Sequence, residues 1–184
     1  MENSISNKQL CPEFSVEEFE PPKVEIFSWM AIQERIATRS VLLNRNMISE
    51  IQLALCPLCS ENVETPQHLL LRRVSWEVWS NILDWWKIQW VCPFSLVELA
   101  LWWFENGFRK LEKCIWEVCF FATLWSIWIA RNGVIFNNGS ALAWEVMDLI
   151  KTRVAMWMKA KFDIKVYTVK DFKGYLDGIR KVKL

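Results

Sequence analysis

The segment that most constrains the fold runs from about Arg109 to Asn132-Gly133, and it is apolar on almost every side. Helices without a polar face are typical of the centre of a bundle or of a membrane span. The longest uncharged run in the segment, residues 118–130, has 13 residues and is bracketed by Glu117 and Arg131. Because a spanning helix needs about 20 apolar residues, we expect a buried core helix and no membrane segment.

The remaining patterns also favour helices. Hydrophobic residues make up 53% of the 184, thirteen are Trp and eleven are Phe, and only five are Gly, so long helices and a sizeable core are expected. The fold class we predict is all-α, a small helical bundle with an irregular Cys-containing loop between its second and third helices. We expect helices at about 27–36, 39–46, 65–86, 95–106, 109–133 and 140–161, an extended stretch from Ile164, and a short helix after Asp171.

The irregular loop contains the only C-x-x-C pair, Cys56 and Cys59, and the only histidine, His68, follows nearby. A C-x-x-C turn can present two thiolates to one ion. Thr65 as N-cap and Pro66 at the first helical position place His68 in the first turn of the next helix. Structural zinc takes four protein ligands, and no fourth Cys or His follows at short range. The alternative is two free loop thiols and a histidine that starts a helix.

Basic charge is concentrated at the C-terminus. The net charge of the chain is only +1, but residues 151–184 contain ten basic and three acidic side chains, a net +7. A segment with this charge is typical of proteins that bind RNA or DNA. It is equally typical of a solvated surface that keeps a protein soluble. The candidate nucleic-acid contacts are Lys151, Arg153, Lys159, Lys161, Lys165, Lys170, Lys173, Arg180, Lys181 and Lys183.

The sequence predicts no enzyme. Polymerase and ribonuclease H sites need clustered carboxylates that hold two metal ions. No two aspartates stand together in a strand pattern here, and there is no Gly-rich phosphate loop. The aspartates are Asp84, Asp148, Asp163, Asp171 and Asp177.

Several residues with chemical potential are expected to be structural. Cys114 and Cys119 lie five positions apart in the apolar helix and are expected in the core. Trp125 and Trp128 could stack on bases, but core packing fits their apolar helix better. Arg131 and the adjacent Asn132 fit a helix C-terminus, where a cation interacts favourably with the helix dipole.

An ordered set of motifs resembles the reverse transcriptase zinc-binding domain, which lies between polymerase and ribonuclease H in plant non-LTR retrotransposons and their derived genes. The resemblance covers about residues 21–90. A later segment, Trp125-Ser-Ile-Trp128-Ile-Ala-Arg131-Asn132, is similar to the W-x-x-W-x-x-R-N stretch that often follows that domain. The motifs of the first part are Pro22-Lys23-Val24, Phe27-Ser28-Trp29, Thr38-Arg39, Leu42, Arg45, Cys56-Pro57-Leu58-Cys59, Glu64-Thr65, His68-Leu69-Leu70 and Trp79.

The resemblance implies that Cys56, Cys59 and His68 are zinc ligands. The family's fourth ligand, a Cys five residues after the His, is replaced here by Arg73. A cation beside Zn²⁺ repels it, so a three-ligand site must be completed by water or by a distant group such as Cys92 or Glu64. Weak or lost zinc binding is therefore expected.

With this resemblance the chain divides into four parts. Residues 1–21 are expected to be a flexible acidic leader, 22–92 the reverse transcriptase zinc-binding-like domain, 93–162 a helical extension packed on it, and 163–184 a basic tail. The expected function is a retrotransposon-derived, non-catalytic module that contacts nucleic acid. The alternative is a domesticated or decaying fragment that acts as a protein-interaction domain without metal. The polar N-terminus and six cysteines favour a nuclear or cytoplasmic location with reduced thiols.

Overall fold

A computed structural model of the chain describes residues 21–91, 93–105, 107–108, 110–162 and 168–174. The secondary structure of these residues is helical, with no strand and one isolated antiparallel bridge between Leu55 and Val63. The predicted all-α class with an irregular Cys-containing loop is confirmed. The α-helices are α1 (Pro22–Ile32), α2 (Arg39–Asn44), α3 (Pro66–Leu71), α4 (Val74–Trp86), α5 (Leu96–Phe104), α6 (Lys110–Asn137), α7 (Ala143–Phe162) and α8 (Val169–Gly174), and a 3₁₀ turn spans Ile51–Ala54.

Helix α6 is the centre of the bundle, as its apolar sequence predicts. It packs against α1, α3, α4, α5 and α7. The stretch Leu111–Asn137 is long and apolar enough to cross a membrane by length and composition, but most of its apolar side chains are buried against the other helices. This burial agrees with the prediction of a core helix. The buried side chains include Ile115, Trp116, Val118, Cys119, Phe120, Leu124 and Ile127.

The expected end of this helix at Asn132-Gly133 is wrong. Helix α6 continues to Asn137, and the chain turns at Asn138, whose φ of 50° lies in the left-handed region. The N–H of Gly139 then donates to the carbonyl of Gly133 at 3.0 Å. A Cβ on Gly139 would lie 3.2 Å from that oxygen, so a side chain there would make a tight contact with the backbone. The second of the two Asn-Gly sequences, Asn138-Gly139, is therefore the one that follows the end of the helix.

The predicted helix 65–86 is also interrupted. Helix α3 ends at Leu71 and α4 starts at Val74, because Arg72 is extended and Arg73 has φ 53° and ψ −121°. The apolar stripe continues through the break, with Val78, Ile82 and Trp86 buried on α4. The break turns the short helix α3, which carries His68, relative to the long helix α4. Periodicity alone could not reveal it, since both helices bury the same kind of face.

Other helix boundaries follow their caps. Ser95 accepts a hydrogen bond from the N–H of Glu98 at 3.1 Å, as its capping sequence predicts. Helix α1 starts at Pro22, earlier than expected, since proline suits a first helical position. Helix α7 starts at Ala143, and Ser140, the expected cap, instead donates to the carboxylate of Glu145 at 3.0 Å.

Two predicted inner faces are only partly buried. On α2, Val41, Leu42 and Leu43 are half-buried, because this short helix packs mainly on the 3₁₀ turn beside it. Two residues expected to face inward are exposed, Leu142 directly before α7 and Leu149 on it. The other members of that stripe, Val146, Ile150, Val154 and Trp157, are buried or half-buried.

Candidate metal centre

The two cysteines lie in a small hairpin. Leu55 and Val63 form its bridge, and the N–H of Cys56 donates to the carbonyl of Asn62 at 2.7 Å. The N–H of Ser60 donates back to the carbonyl of Cys56 at 2.8 Å. Ser60 has φ 57°, the left-handed conformation that lets the chain reverse directly after Cys59. This turn places both thiols on one side of the loop.

Helix α3 brings His68 to the same side. Its first turn is capped as predicted, with Thr65 Oγ1 accepting from the N–H of His68 at 3.0 Å. Cys59 Sγ lies 3.3 Å from His68 Nε2. The ligand atoms of Cys56, Cys59 and His68 all lie within 4.8 Å of one another. The structure therefore brings together the three residues that the sequence proposes as ligands.

The surroundings shift the pKa values of Cys56 and His68 in opposite directions. Burial raises the pKa of the Cys56 thiol to about 11, although its sulfur accepts hydrogen bonds from the N–H groups of Leu58 and Cys59. Burial also lowers the pKa of His68, with Glu64 opposing that shift. His68 is therefore neutral near pH 7, the form that binds metals. Two backbone N–H donors aimed at Cys56 Sγ would stabilise a thiolate once a cation offsets its burial.

Glu64, one of the two distant groups considered as a fourth ligand, is already occupied. Its carboxylate, which is fully buried, accepts from the guanidinium of Arg131 through Oε1 at 2.8 Å and Oε2 at 2.7 Å. Oε2 also accepts from the N–H of Arg39 at 2.8 Å. A carboxylate held in this way is directed toward α2 and α6. The other group, Cys92, lies outside the described residues.

Arg73, at the position of the family's fourth ligand, forms an exposed ion pair with Glu61 of the hairpin. Its charge also lowers the pKa of His68, so the guanidinium acts on the site. Its positive φ is a strained conformation for a residue with a side chain. In the described residues, no other Cys, His, Asp or Glu joins the three-residue cluster.

The donor set of this cluster is compatible with zinc. Two thiolates at about 2.3 Å and one imidazole nitrogen at about 2.0 Å are ordinary zinc ligands. Donor atoms within 4.8 Å of one another can contact one ion of that size. Three protein ligands leave one tetrahedral position to water, as in zinc sites with an exchangeable ligand.

The predicted nucleic-acid residues are only partly described. Lys151 Nζ lies 5.1 Å from the ring centroid of Trp85. Arg153, half-buried, donates to Ser126 Oγ at 2.6 Å, and burial lowers its pKa. Lys159 and Lys161 lie in the last turn of α7, and Lys170 is exposed on α8. Lys165, Arg180, Lys181 and Lys183 are outside the described residues, as is the side chain of Lys173.

The residues expected to be structural lie in or against the core. Cys119 is buried and Cys114 half-buried. Trp125 and Trp128 are half-buried, with ring centroids 5.3 and 5.4 Å from that of Phe27. The role predicted for Arg131 is wrong: it lies inside α6 and is buried against Glu64, because the helix continues past it. An arginine that interrupts a buried apolar face needs a partner, and this is the signal that could have predicted an ion pair for Arg131, although not the identity of its partner.

The fold and the site define a helical protein whose loop brings two cysteines and one histidine together as candidate metal ligands. Residues 4–79 match the family described as zinc-binding in reverse transcriptase. The match confirms the resemblance over this part of the chain, and the matched family is the zinc-binding rather than the catalytic part of reverse transcriptases. No curated protein and no solved structure matches the chain. The match includes the three candidate ligands and begins at residue 4, within the predicted leader, while Arg131 lies beyond its end.

Proposed function

We propose that the chain is a non-catalytic, retrotransposon-derived zinc-binding module that holds Zn²⁺ weakly and contacts nucleic acid. The observation that carries the first part is the convergence of Cys56 Sγ, Cys59 Sγ and a His68 nitrogen within 4.8 Å. The match of residues 4–79 to a zinc-binding family supports the same conclusion.

The affinity is weak because one tetrahedral position lacks a protein ligand. Water at that position contributes less than a thiolate does, and the guanidinium of Arg73 adds an unfavourable charge near the ion. Burial of Cys56 adds a further cost, since its thiol must lose a proton to bind. We expect zinc affinity well below that of a four-ligand structural site.

A competition titration with a chromophoric zinc chelator tests this proposal. The parent chain should take up one zinc. The zinc affinity of Cys59→Ser should be at least about tenfold lower, since even the loss of a ligand's outer partner costs about 10–100-fold. Cys114→Ser is the matched control, since Cys114 is a half-buried cysteine outside the cluster. Equal and negligible uptake by the parent and by Cys59→Ser would refute zinc binding.

The second part, nucleic-acid contact, is supported by cations at the end of α7 and on α8. Lys159, Lys161 and Lys170 precede a segment that contains four further basic candidates. Binding of single-stranded RNA should weaken steeply as salt rises, because each phosphate contact releases counterions. Lys159→Gln with Lys161→Gln should reduce that salt dependence, whereas Lys113→Gln on α6 should not. Deletion of residues 163–184 with unchanged RNA binding would exclude the tail.

A protein-interaction domain is the second candidate, favoured by large exposed apolar side chains. Val91 and Phe94, in the connection before α5, are 90% and 79% exposed, and Ile26 on α1 is 61% exposed. Exposed apolar residues of this size occur at protein interfaces. Zinc content and salt-dependent RNA binding distinguish the candidates, since an interaction domain of this kind predicts neither.

A further inference from the structure

Glu64 joins the hairpin that carries Cys56 and Cys59 to the rest of the protein. Its N–H donates to the carbonyl of Ala54 at 2.8 Å, beside the hairpin bridge, and its carbonyl accepts from the N–H of Ser40 at 3.1 Å. The next residue, Thr65, caps the helix that carries His68. Glu64 therefore lies at the junction between the segment that presents the two thiols and the segment that presents the imidazole.

The carboxylate of this residue is held from α6, 67 residues away in sequence. Two oxygens of Glu64 meet two nitrogens of Arg131, a geometry that fixes direction as well as distance. The guanidinium is itself held, since it lies 4.7 Å from the ring centroid of Trp128 and donates to Asn132 Oδ1 at 2.9 Å. Arg131 is 5% exposed, so water cannot replace these contacts.

We propose that Arg131 is a positioning residue for the Cys56–Cys59–His68 metal site. By fixing Glu64, it sets the orientation of the hairpin relative to α3 and so the separation of thiols and imidazole. It also neutralises a carboxylate that would otherwise be free to turn toward a bound cation. The unit that binds metal therefore extends beyond the matched residues 4–79 to α6. The metal part of this inference rests on the proposed zinc binding.

Arg131→Met and Arg131→Lys test the proposal through metal affinity and through the absorption of bound Co²⁺, which reports ligand geometry. Losing an outer partner of a metal ligand typically costs 10–100-fold in affinity, and we expect a loss of about that size with an altered Co²⁺ spectrum. Lys should recover little, since it lacks the two-pronged geometry. Unchanged zinc affinity and Co²⁺ spectrum in folded Arg131→Met would overturn the proposal. Tighter binding would also overturn it, because it would mean that freed Glu64 serves as a ligand.

Two controls separate positioning from general destabilisation. Lys113→Met makes the same charge change on an exposed part of α6. Leu124→Ala removes a buried α6 side chain that takes part in no hydrogen bond or ion pair with the loop. Both should keep the zinc affinity of the folded protein and the Co²⁺ spectrum of the parent. If Leu124→Ala alters the spectrum as Arg131→Met does, the effect is one of stability and the positioning role fails.

A metal-free measurement keeps the inference distinct from zinc binding itself. Cys59 Sγ lies 3.3 Å from His68 Nε2. Because positioning by the pair requires no ion, the alkylation rate of Cys59 by iodoacetamide should change in Arg131→Met and not in Lys113→Met. A parent chain without zinc uptake refutes the proposed function, while a changed Cys59 rate would still support positioning by Arg131. Identical Cys59 rates in the parent and both variants contradict positioning.

Discussion

Trp103 and Trp116 stack with their ring centroids 3.8 Å apart and their planes at 8°. Each indole N–H donates to the backbone carbonyl of the other residue, at 2.8 and 2.7 Å. Together with the ring stacking, these two hydrogen bonds hold α5 against α6. They explain how these two buried indoles keep their N–H groups paired.

Trp103→Phe should lower the free energy of unfolding by about 1–3 kcal/mol, because it removes the indole N–H that donates to the buried Trp116 carbonyl and reduces the stacked ring area. Urea denaturation followed by circular dichroism measures the change. Trp144→Phe is the control, since Trp144 is 66% exposed and should change stability by less than about 0.5 kcal/mol. Equal effects of the two substitutions would contradict the structural role of the pair.

Breaking the ion pair between Glu64 and Arg131 should destabilise the fold strongly. Removal of one partner from a buried pair typically costs about 3–5 kcal/mol, since the other charge stays buried without compensation. Glu64→Gln and Arg131→Met should each lose stability on that scale in urea denaturation. The double variant Glu64→Gln with Arg131→Met should lose less than the sum of the two single losses, because no charge remains buried. Strict additivity would show that the two side chains do not act as a pair.

Cys119 should make stability depend on pH in the alkaline range. Burial raises the pKa of its thiol from about 9 to about 12. A group with a raised pKa in the folded state contributes stability below its unfolded pKa and loses that contribution as pH rises toward the folded pKa. Stability should therefore fall between about pH 9 and pH 12.

Cys119→Ala should flatten part of this decline, measured as the unfolding midpoint in urea at pH 8 and pH 10. Cys56, with a pKa of about 11, contributes in the same range and should keep some of the slope. A slope that is identical in the parent and in Cys119→Ala would contradict the buried thiol as its source.

Arg73→Cys should strengthen zinc binding by at least about tenfold, because it replaces a cation by a thiolate at the position of the family's fourth ligand. Competition with a chromophoric chelator gives the affinity ratio. Arg72→Cys, one residue earlier, is the control that adds a thiol without the family spacing. If Arg72→Cys strengthens binding as much as Arg73→Cys, the gain comes from an added thiol and not from a restored site.

The sequence predicts the local parts of this fold well. The Thr65-Pro66 helix start, the capping sequence at Ser95 and the central position of α6 depend on neighbouring residues, and the structure contains all three. The three candidate ligands are likewise a local pattern, with a turn and a capped helix in one short stretch. Their convergence within 4.8 Å follows from those two local structures.

The long-range features could not be predicted in the same way. The partner of Arg131 is 67 residues away, and nothing in the spacing selects Glu64 among the acidic residues. The turn after α6 brings Gly139 close to the Gly133 carbonyl. The two Asn-Gly sequences, at 132–133 and 138–139, look alike, so the sequence does not show which one follows the helix end. The break at Arg73 is invisible to periodicity because the apolar stripe continues through it.

The most direct test of the central claim is native mass spectrometry of the chain purified without added zinc and then given one equivalent of Zn²⁺. The parent should gain the mass of one zinc ion less the protons displaced from two thiols, and Cys59→Ser and His68→Ala should not gain it at the same concentration. This result would establish Cys56, Cys59 and His68 as one metal site. A parent spectrum without bound zinc, or equal zinc occupancy in all three proteins, would contradict it.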